Sequence, residues 1–137
     1  MSRDKHTVRS LLDISVGEPE TREVEVPRLG LRITLQSLSY DRLTALRGTE
    51  DADMSYFLAS AVEPDFRDRR WYREHMGCPT PVEAVKKLLR PGEVRAILRE
   101  CDILNGYGPG AVLSVERDDQ ALQDMAVGEA LEDLEKN

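Results

Sequence analysis

The hydrophobic period changes near Ser39, and that change constrains the fold more than any other feature of the chain. In REVEVPRLGLRITLQSL (residues 22–38), Val24 and Val26 alternate with glutamates, and Leu31, Ile33 and Leu35 alternate with Arg32 and Thr34. A period of two gives a strand one buried face and one wet face. Gly30 stands at the turn, so the spacing predicts a β-hairpin. Pro27 has no ladder donor, which places the first strand at a sheet edge. After Ser39 the apolar residues recur with the helical period. Ser39 is a good N-cap, Leu38 and Leu43 have the spacing of a hydrophobic staple, and Gly48 closes a short helix. Met54, Phe57, Leu58, Ala61 and Val62 follow one helical face, which Pro64 stops. DFRDRRWYREHMG reads as a short helix carrying Phe66 and Trp71. In TPVEAVKKLL, Thr80 caps, Pro81 fits the first helical position and Glu83 completes a capping box. Val82, Val85, Leu88 and Leu89 share a face. Pro91 interrupts, and Val94, Ile97, Leu98, Cys101 and Leu104 form a further stripe. The expected fold class is α+β, mainly α: an N-terminal β-hairpin packed on a bundle of about five short helices.

Of the 137 residues, 40% are apolar and 5% aromatic, so the core must be aliphatic and modest, on the scale of one domain. The pattern divides the chain into a flexible arm (residues 1–20), a compact domain (21–110) and an acidic tail (111–137) that can take helix. No run of apolar residues is long enough to cross a membrane. The first residues, MSRDKHTVRSLLDISVG, lack the apolar stretch of a secretory signal. Cys78 and Cys101 belong to no CxxC pair, which predicts a reduced, intracellular protein. The net charge of −7 is uneven: residues 111–137 hold eight acids against two bases, whereas Asp65–Glu100 carries a basic surplus of three. RDRRWYR (Arg67–Arg73) is the one candidate basic stripe. It is short and interrupted by acid, and an acidic tail repels phosphate, so no nucleic-acid partner is expected.

NGYGPG (Asn105–Gly110) invites a reading as a phosphate loop. Such a loop lies between a strand and a helix start, where free N–H groups and the helix dipole face the anion. Here the glycines follow a helix, at its carbonyl end, and no GK[ST] accompanies them. Asn105 and Gly106 read as a C-cap, and Pro109 bars continuation. Catalytic patterns are equally absent. His75 and Cys78 give H-x-x-C without a second pair to complete a zinc site. No serine sits in a GxSxG elbow, and Cys78 beside prolines shows no activation as a nucleophile. Cys101, inside an apolar stripe, reads as packing. Neither an enzyme nor a cofactor is expected.

Several segments, in order, resemble one family, the phage tail assembly chaperones of the XkdN-like kind. PRLGLRITLQSLSYDRL matches its R-L-G turn, alternating strand and L-S helix start. EPDFRDRRW is similar to a D-P-x-F-x-D element, with Glu63 in place of the aspartate. PVEAVKKLLRPGEV and ILNGYG match P-x-E-x-V-x-K-L-L-x-P-G-E-[IV] and L-[SN]-G-Y, and the terminal EKN is similar to the family's ending. The resemblance covers roughly Leu11–Tyr107. Its most specific part is the ordered pair LLRPGEV and LNGYG, while the insert GPGAVLSVERDDQALQDMAVGEALED departs from the pattern.

What the resemblance implies is a non-enzymatic chaperone of the host cytoplasm, absent from the mature virion. It would bind the tape measure protein, keep it soluble and help recruit tail tube protein; other copies of the chain are a further partner, and a membrane is not. The physics is coherent, because a long amphipathic rod aggregates unless its apolar stripe is covered, and a small helical domain can offer grooves for it. Two contact surfaces are candidates. Leu11, Leu12 and Ile14 cluster in an otherwise polar arm, either tucked onto the hairpin or free to dock on a partner. Trp71 and Tyr72 point about 100° apart on a helix, so one of them must lie near the surface, and aromatics anchor interfaces. Two alternatives stand beside this reading: a structural virion component such as a tail completion or head–tail connector protein, and a small hydrolase using Cys78 and His75.

Overall fold

The computed structural model describes residues 11–115; the first half of the expected arm and the acidic tail beyond Val115 lie outside them. The chain order is β1 (Thr21–Val26), β2 (Leu31–Gln36), α1 (Tyr40–Arg47), α2 (Ala52–Ser60), β3 (Ala61–Glu63), a π-helical segment (Arg70–His75), α3 (Pro81–Leu88) and α4 (Pro91–Leu104). This is the expected α+β fold, mainly α, with an N-terminal sheet and about five helical segments.

β1 and β2 pair antiparallel in a register that sets Val24 opposite Ile33 and Val26 opposite Leu31. The turn closes through Leu29 N–H to the Val26 carbonyl at 3.0 Å, and Gly30 takes φ +61°, a conformation that favours glycine. β1 is an edge, as Pro27 requires. The other edge of β2, however, is not free. Ala61–Glu63 adds a third antiparallel strand, with Ala61 opposite Leu35 and Glu63 opposite Thr34. The expected hairpin is thus a three-stranded sheet, and the helical stripe read through Ala61 and Val62 ends at Ser60. The cause is Pro64, which disfavours helix at Glu63 and so extends the chain alongside β2. Val62 is accordingly exposed.

The expected helix after Pro64 is also different. Phe66 precedes it, Arg70 N–H bonds the Asp68 carboxylate, and residues 70–75 wind as a π-helix, with Met76 N–H reaching the Trp71 carbonyl at 2.9 Å. The N-caps read from sequence are in place, but the capping box expected at Thr80 is only half formed, with no return bond from the Glu83 carboxylate among the described residues. Ser39 accepts from Arg42 N–H, Thr80 accepts from Glu83 N–H, and Pro81 opens α3.

The inner sheet face supplies Val26, Ile33 and Leu35, which meet Met54 and Phe57 of α2, Val85 of α3 and Val94, Ile97 and Cys101 of α4. Each large side chain buried there contributes on the order of 1.5–3 kcal/mol. Phe57, Phe66 and Trp71 form an aromatic file, with ring centroids 5.3 and 5.4 Å apart. The core extends along α4 as expected, with Leu98 and Leu104 partly buried at its edge. Leu89 is buried from just beyond the end of α3.

Candidate functional site

Two segments widely separated in sequence meet at the base of the sheet. The Arg28 guanidinium, presented by the hairpin turn, donates through Nε and Nη2 to the two carboxylate oxygens of Glu93, each at 2.8 Å, and Nη2 also reaches the Leu88 carbonyl at 3.0 Å. Glu93 accepts in addition from Arg90 N–H at 2.8 Å, so it caps α4 while it holds the turn. The Arg28 bonds first, then the Arg90 amide, hold the Glu93 carboxyl well below its usual range, at about 2. PRLG and LLRPGE are therefore two halves of one clamp.

A second junction lies at the other end of α4. Asn105 accepts the Leu38 N–H at 2.8 Å through its side-chain oxygen, and its amide donates to the Cys101 carbonyl at 2.9 Å and to the Tyr56 hydroxyl at 3.0 Å. That hydroxyl donates in turn to Asp102 at 2.8 Å. Burial, then the bond to Asp102, pushes the Tyr56 phenol up. Gly106 follows at φ +89°, and the Tyr107 hydroxyl accepts from Arg47 at 3.1 Å. NGYG does end the helix, as its position predicts. It also ties the β2–α1 junction, α1 and α2 to α4, a role that no local pattern shows.

Between these two junctions α2 and α4 border an open groove of about 720 Å³. Met54, Leu89, Val94 and Leu98 form its apolar floor, and its charged lining is balanced, with Asp51, Asp53 and Asp102 against Lys86, Arg95 and Arg99. A smaller hollow of about 300 Å³, between α1 and α2, shares Asp53, Tyr56 and Asp102 with it and adds Leu43, Leu46 and Tyr107. The two form one apolar trough with charged edges. Asp51 occupies a left-handed conformation at φ +69°, tolerable for aspartate. Its carboxylate does not cap α2 but meets Lys86 Nζ at 2.8 Å, fixing α3 at the groove mouth and raising the Lys86 pKa.

Trp71 packs edge-on against Phe66 at the border of the core, and Tyr72 is half-buried. Trp71 is thus engaged within the fold. Leu11, Leu12 and Ile14 are at least two-thirds exposed, so this cluster is not tucked onto the hairpin, although Glu20 at the end of the arm bonds Ser37. Cys78 is buried with its thiol toward the Met76 carbonyl at 3.5 Å, while His75 is exposed. Burial pushes the Cys101 thiol up to about 11, which suits packing rather than reactivity. Among the described residues no three His, Cys, Asp or Glu side chains gather to hold a metal, and no helix is long and apolar enough to cross a membrane.

The groove residues were read from sequence only in part. The sequence pattern places Met54, Leu89, Val94 and Leu98 in core stripes and gives Arg95 and Arg99 no distinct role. The available signal was the i, i+4 spacing of two like charges beside an apolar stripe, which is not distinctive alone.

No protein-family model matches the chain, and no curated protein matches it. Among solved structures, the fold is similar to the crystal structure of the protein YqbN, a structural genomics target. The TM-score is 0.54 at 22% sequence identity, covering 68% of this chain and 90% of that one. Likeness at that identity carries the fold.

Proposed function

We propose that this chain is a phage tail assembly chaperone that binds the tape measure protein and keeps it soluble during tail morphogenesis. The observation that carries this reading is the trough between α2 and α4, apolar on its floor and charged on its rims. That profile suits an amphipathic helix laid lengthwise, whose apolar stripe meets the floor while its polar flanks meet the charges. A tape measure rod presents such stripes along its length. The client surface proposed here is the groove in preference to Trp71, which the core already engages. The exposed Leu11, Leu12 and Ile14 supply a second apolar contact, for the client, the tail tube protein or another copy of the chain.

Co-expression with the tape measure protein is the test. The client should stay soluble and co-purify with the parent chain, and precipitate when the groove is blocked by Leu98→Glu at the half-buried floor position. A client that precipitates equally with and without the parent chain refutes the proposal. Circular dichroism of Leu98→Glu guards against loss of fold, with Arg95→Glu as an exposed-rim variant if it fails. Mass spectrometry of finished particles separates the chaperone, which should be missing, from a virion component, which should be retained.

A further inference from the structure

β1 is an outer strand of the sheet, and among the described residues no strand pairs with its open edge. The direction of its backbone groups follows from one bond. Ser37 N–H donates to the Glu20 carbonyl at 2.8 Å, so Glu20 and Ser37 form a bonded pair. Bonded and unbonded pairs alternate along an antiparallel ladder. Arg22, Val24 and Val26 therefore turn their N–H and C=O groups to β2, and Thr21, Glu23 and Glu25 turn theirs to the open edge. Pro27, next on that side, has no N–H, and the edge ends there.

The side chains alternate as well. Arg22, Val24 and Val26 lie on the face toward α4, where Arg22 meets Glu100 at 2.6 Å and Val26 is buried. Between β1 and α4 is a hollow of about 250 Å³ with Val24, Val26, Pro27, Ala96 and Ile97 as its apolar lining. Ala96 is small and exposed there. The charged lining is Glu25, Glu93 and Glu100 without a base, and Arg28 and Arg22 satisfy the last two. On the outer face Glu23 and Glu25 share one guanidinium, that of Arg32, at 3.8 and 3.4 Å. One negative charge is thus left over beside unpaired backbone groups and an apolar hollow.

A second copy of β1 does not suit this edge. An antiparallel pairing centred on Arg22, Glu23 or Glu25 sets that charge against itself, and one centred on Val24 opposes Glu23 to Glu25 twice. Like charges directly opposite destabilise a strand pair, and charge is a common guard against edge-to-edge association. The same glutamates favour a basic strand.

We propose that β1 accepts an added strand from an extended segment of a protein partner, with Lys or Arg opposite Glu23 and Glu25 and an apolar side chain opposite Val24 entering the hollow. Main-chain bonds supply affinity, and the alternate side chains supply selection. The hollow shares no lining residue with the α2–α4 groove, so docking at one does not require the other.

The experiment follows amide exchange by NMR in the full-length chain. The probe is the capped peptide Lys-Val-Lys-Val-Lys, with glutamate in place of lysine as its control. In the free chain the Arg22, Val24 and Val26 amides should exchange slowly and those of Thr21, Glu23 and Glu25 fast. The lysine peptide should slow those three, and the glutamate peptide should not. Glu23→Lys with Glu25→Lys should weaken binding about tenfold at low salt. Glu23→Pro removes a donor of the open edge alone, so the sheet should persist while binding is lost. If the proline unfolds β1, Ala96→Phe, which fills the hollow from an exposed helix position, takes its place. Edge amides already slow in the dilute free chain, a lysine peptide that leaves them fast, equal protection by the glutamate peptide, or a folded blocking variant that binds as tightly as the parent each overturn the proposal. Protection that grows with protein concentration alone assigns the edge to a second copy and overturns it too. Client solubility enters none of these readings, so its outcome tests the groove alone.

Discussion

Along α4, the face carrying Ile97 and Cys101 is closed by the sheet and α2, whereas the neighbouring face carrying Arg95, Arg99 and Asp102 borders an open trough, with Val94 at the edge of both. One helix thus meets two solvents. On the closed face a side chain is fixed by volume and polarity, and substitution is answered in folding stability. On the open face only charge and a partial apolar edge are specified, and substitution should be answered in binding. Leu98 lies between the two, half-buried in both. The contrast explains how a chain with a modest aliphatic core can keep a groove uncovered: the closed face packs against the sheet, and the junctions at both ends of α4 tie that helix to the hairpin turn and to the β2–α1 junction.

The sharpest way to break this comparison is to exchange polarity on the closed face. Ile97 is buried beneath the sheet, and Ile97→Asp places an unpaired carboxylate there. The cost should be several kcal/mol, comparable with the whole stability of a small domain, so cooperative melting should vanish. The paired control is Arg95→Gln on the open face, expected to shift stability by no more than about 0.5 kcal/mol. Thermal denaturation by circular dichroism reads both. Equal melting of Ile97→Asp and parent would mean that the sheet does not close this face.

A smaller effect is expected where both faces are joined. Asn105→Ala leaves the Leu38 N–H without its acceptor and removes the donor to the Tyr56 hydroxyl. Leaving such part-buried groups unsatisfied costs about 1–3 kcal/mol. The urea midpoint should fall accordingly, with the slope unchanged. A loss below about 0.5 kcal/mol would show that water replaces the side chain and that the junction is not held by Asn105.

The closed face was legible because burial imposes a period. Val24, Val26, Ile33 and Leu35 gave the hairpin, and Val94, Ile97, Cys101 and Leu104 gave α4, since each must point inward from its own element. Caps at Ser39 and Thr80 were legible for a similar reason: they satisfy donors only three residues away. β3 was not, because Ala61–Glu63 has too few residues to show alternation and owes its strand pairing to an edge of β2 that the hairpin leaves open. The π-helical winding of Arg70–His75 has no signature in spacing. The groove was least legible of all. Its walls come from α2, α3 and α4, and a trough exists only through the distance at which other contacts hold them. Tyr56–Asp102 joins α2 to α4 across 46 positions in sequence, and Asp51–Lys86 joins the start of α2 to α3. Arg28, Glu93 and Asn105 fit a turn, a helix start and a helix stop by local pattern alone, and their long-range bonds have no local signature.

The clamp at the start of α4 allows a finer test, because its strength depends on pH. The Arg28 guanidinium and the Arg90 amide hold the Glu93 carboxyl down to about 2 in the folded chain, against about 4.3 in an unfolded one. A depressed carboxyl contributes stability that is fully present above its unfolded pKa and is lost as pH falls through the folded one. The window is therefore from about pH 4.3 down to about 2, and the contribution is constant at neutral pH. Glu93→Gln cannot ionise, so it lacks that contribution at every pH. The melting temperature of the parent should exceed that of Glu93→Gln by a steady margin near neutrality, and the two should converge as the pH drops through the window. Arg28→Ala, read by the carboxyl carbon shift of Glu93, should move the titration midpoint up toward the ordinary range while leaving the Arg90 amide bond in place. A parent midpoint already near 4 would show that the turn and the helix start are neighbours without being clamped.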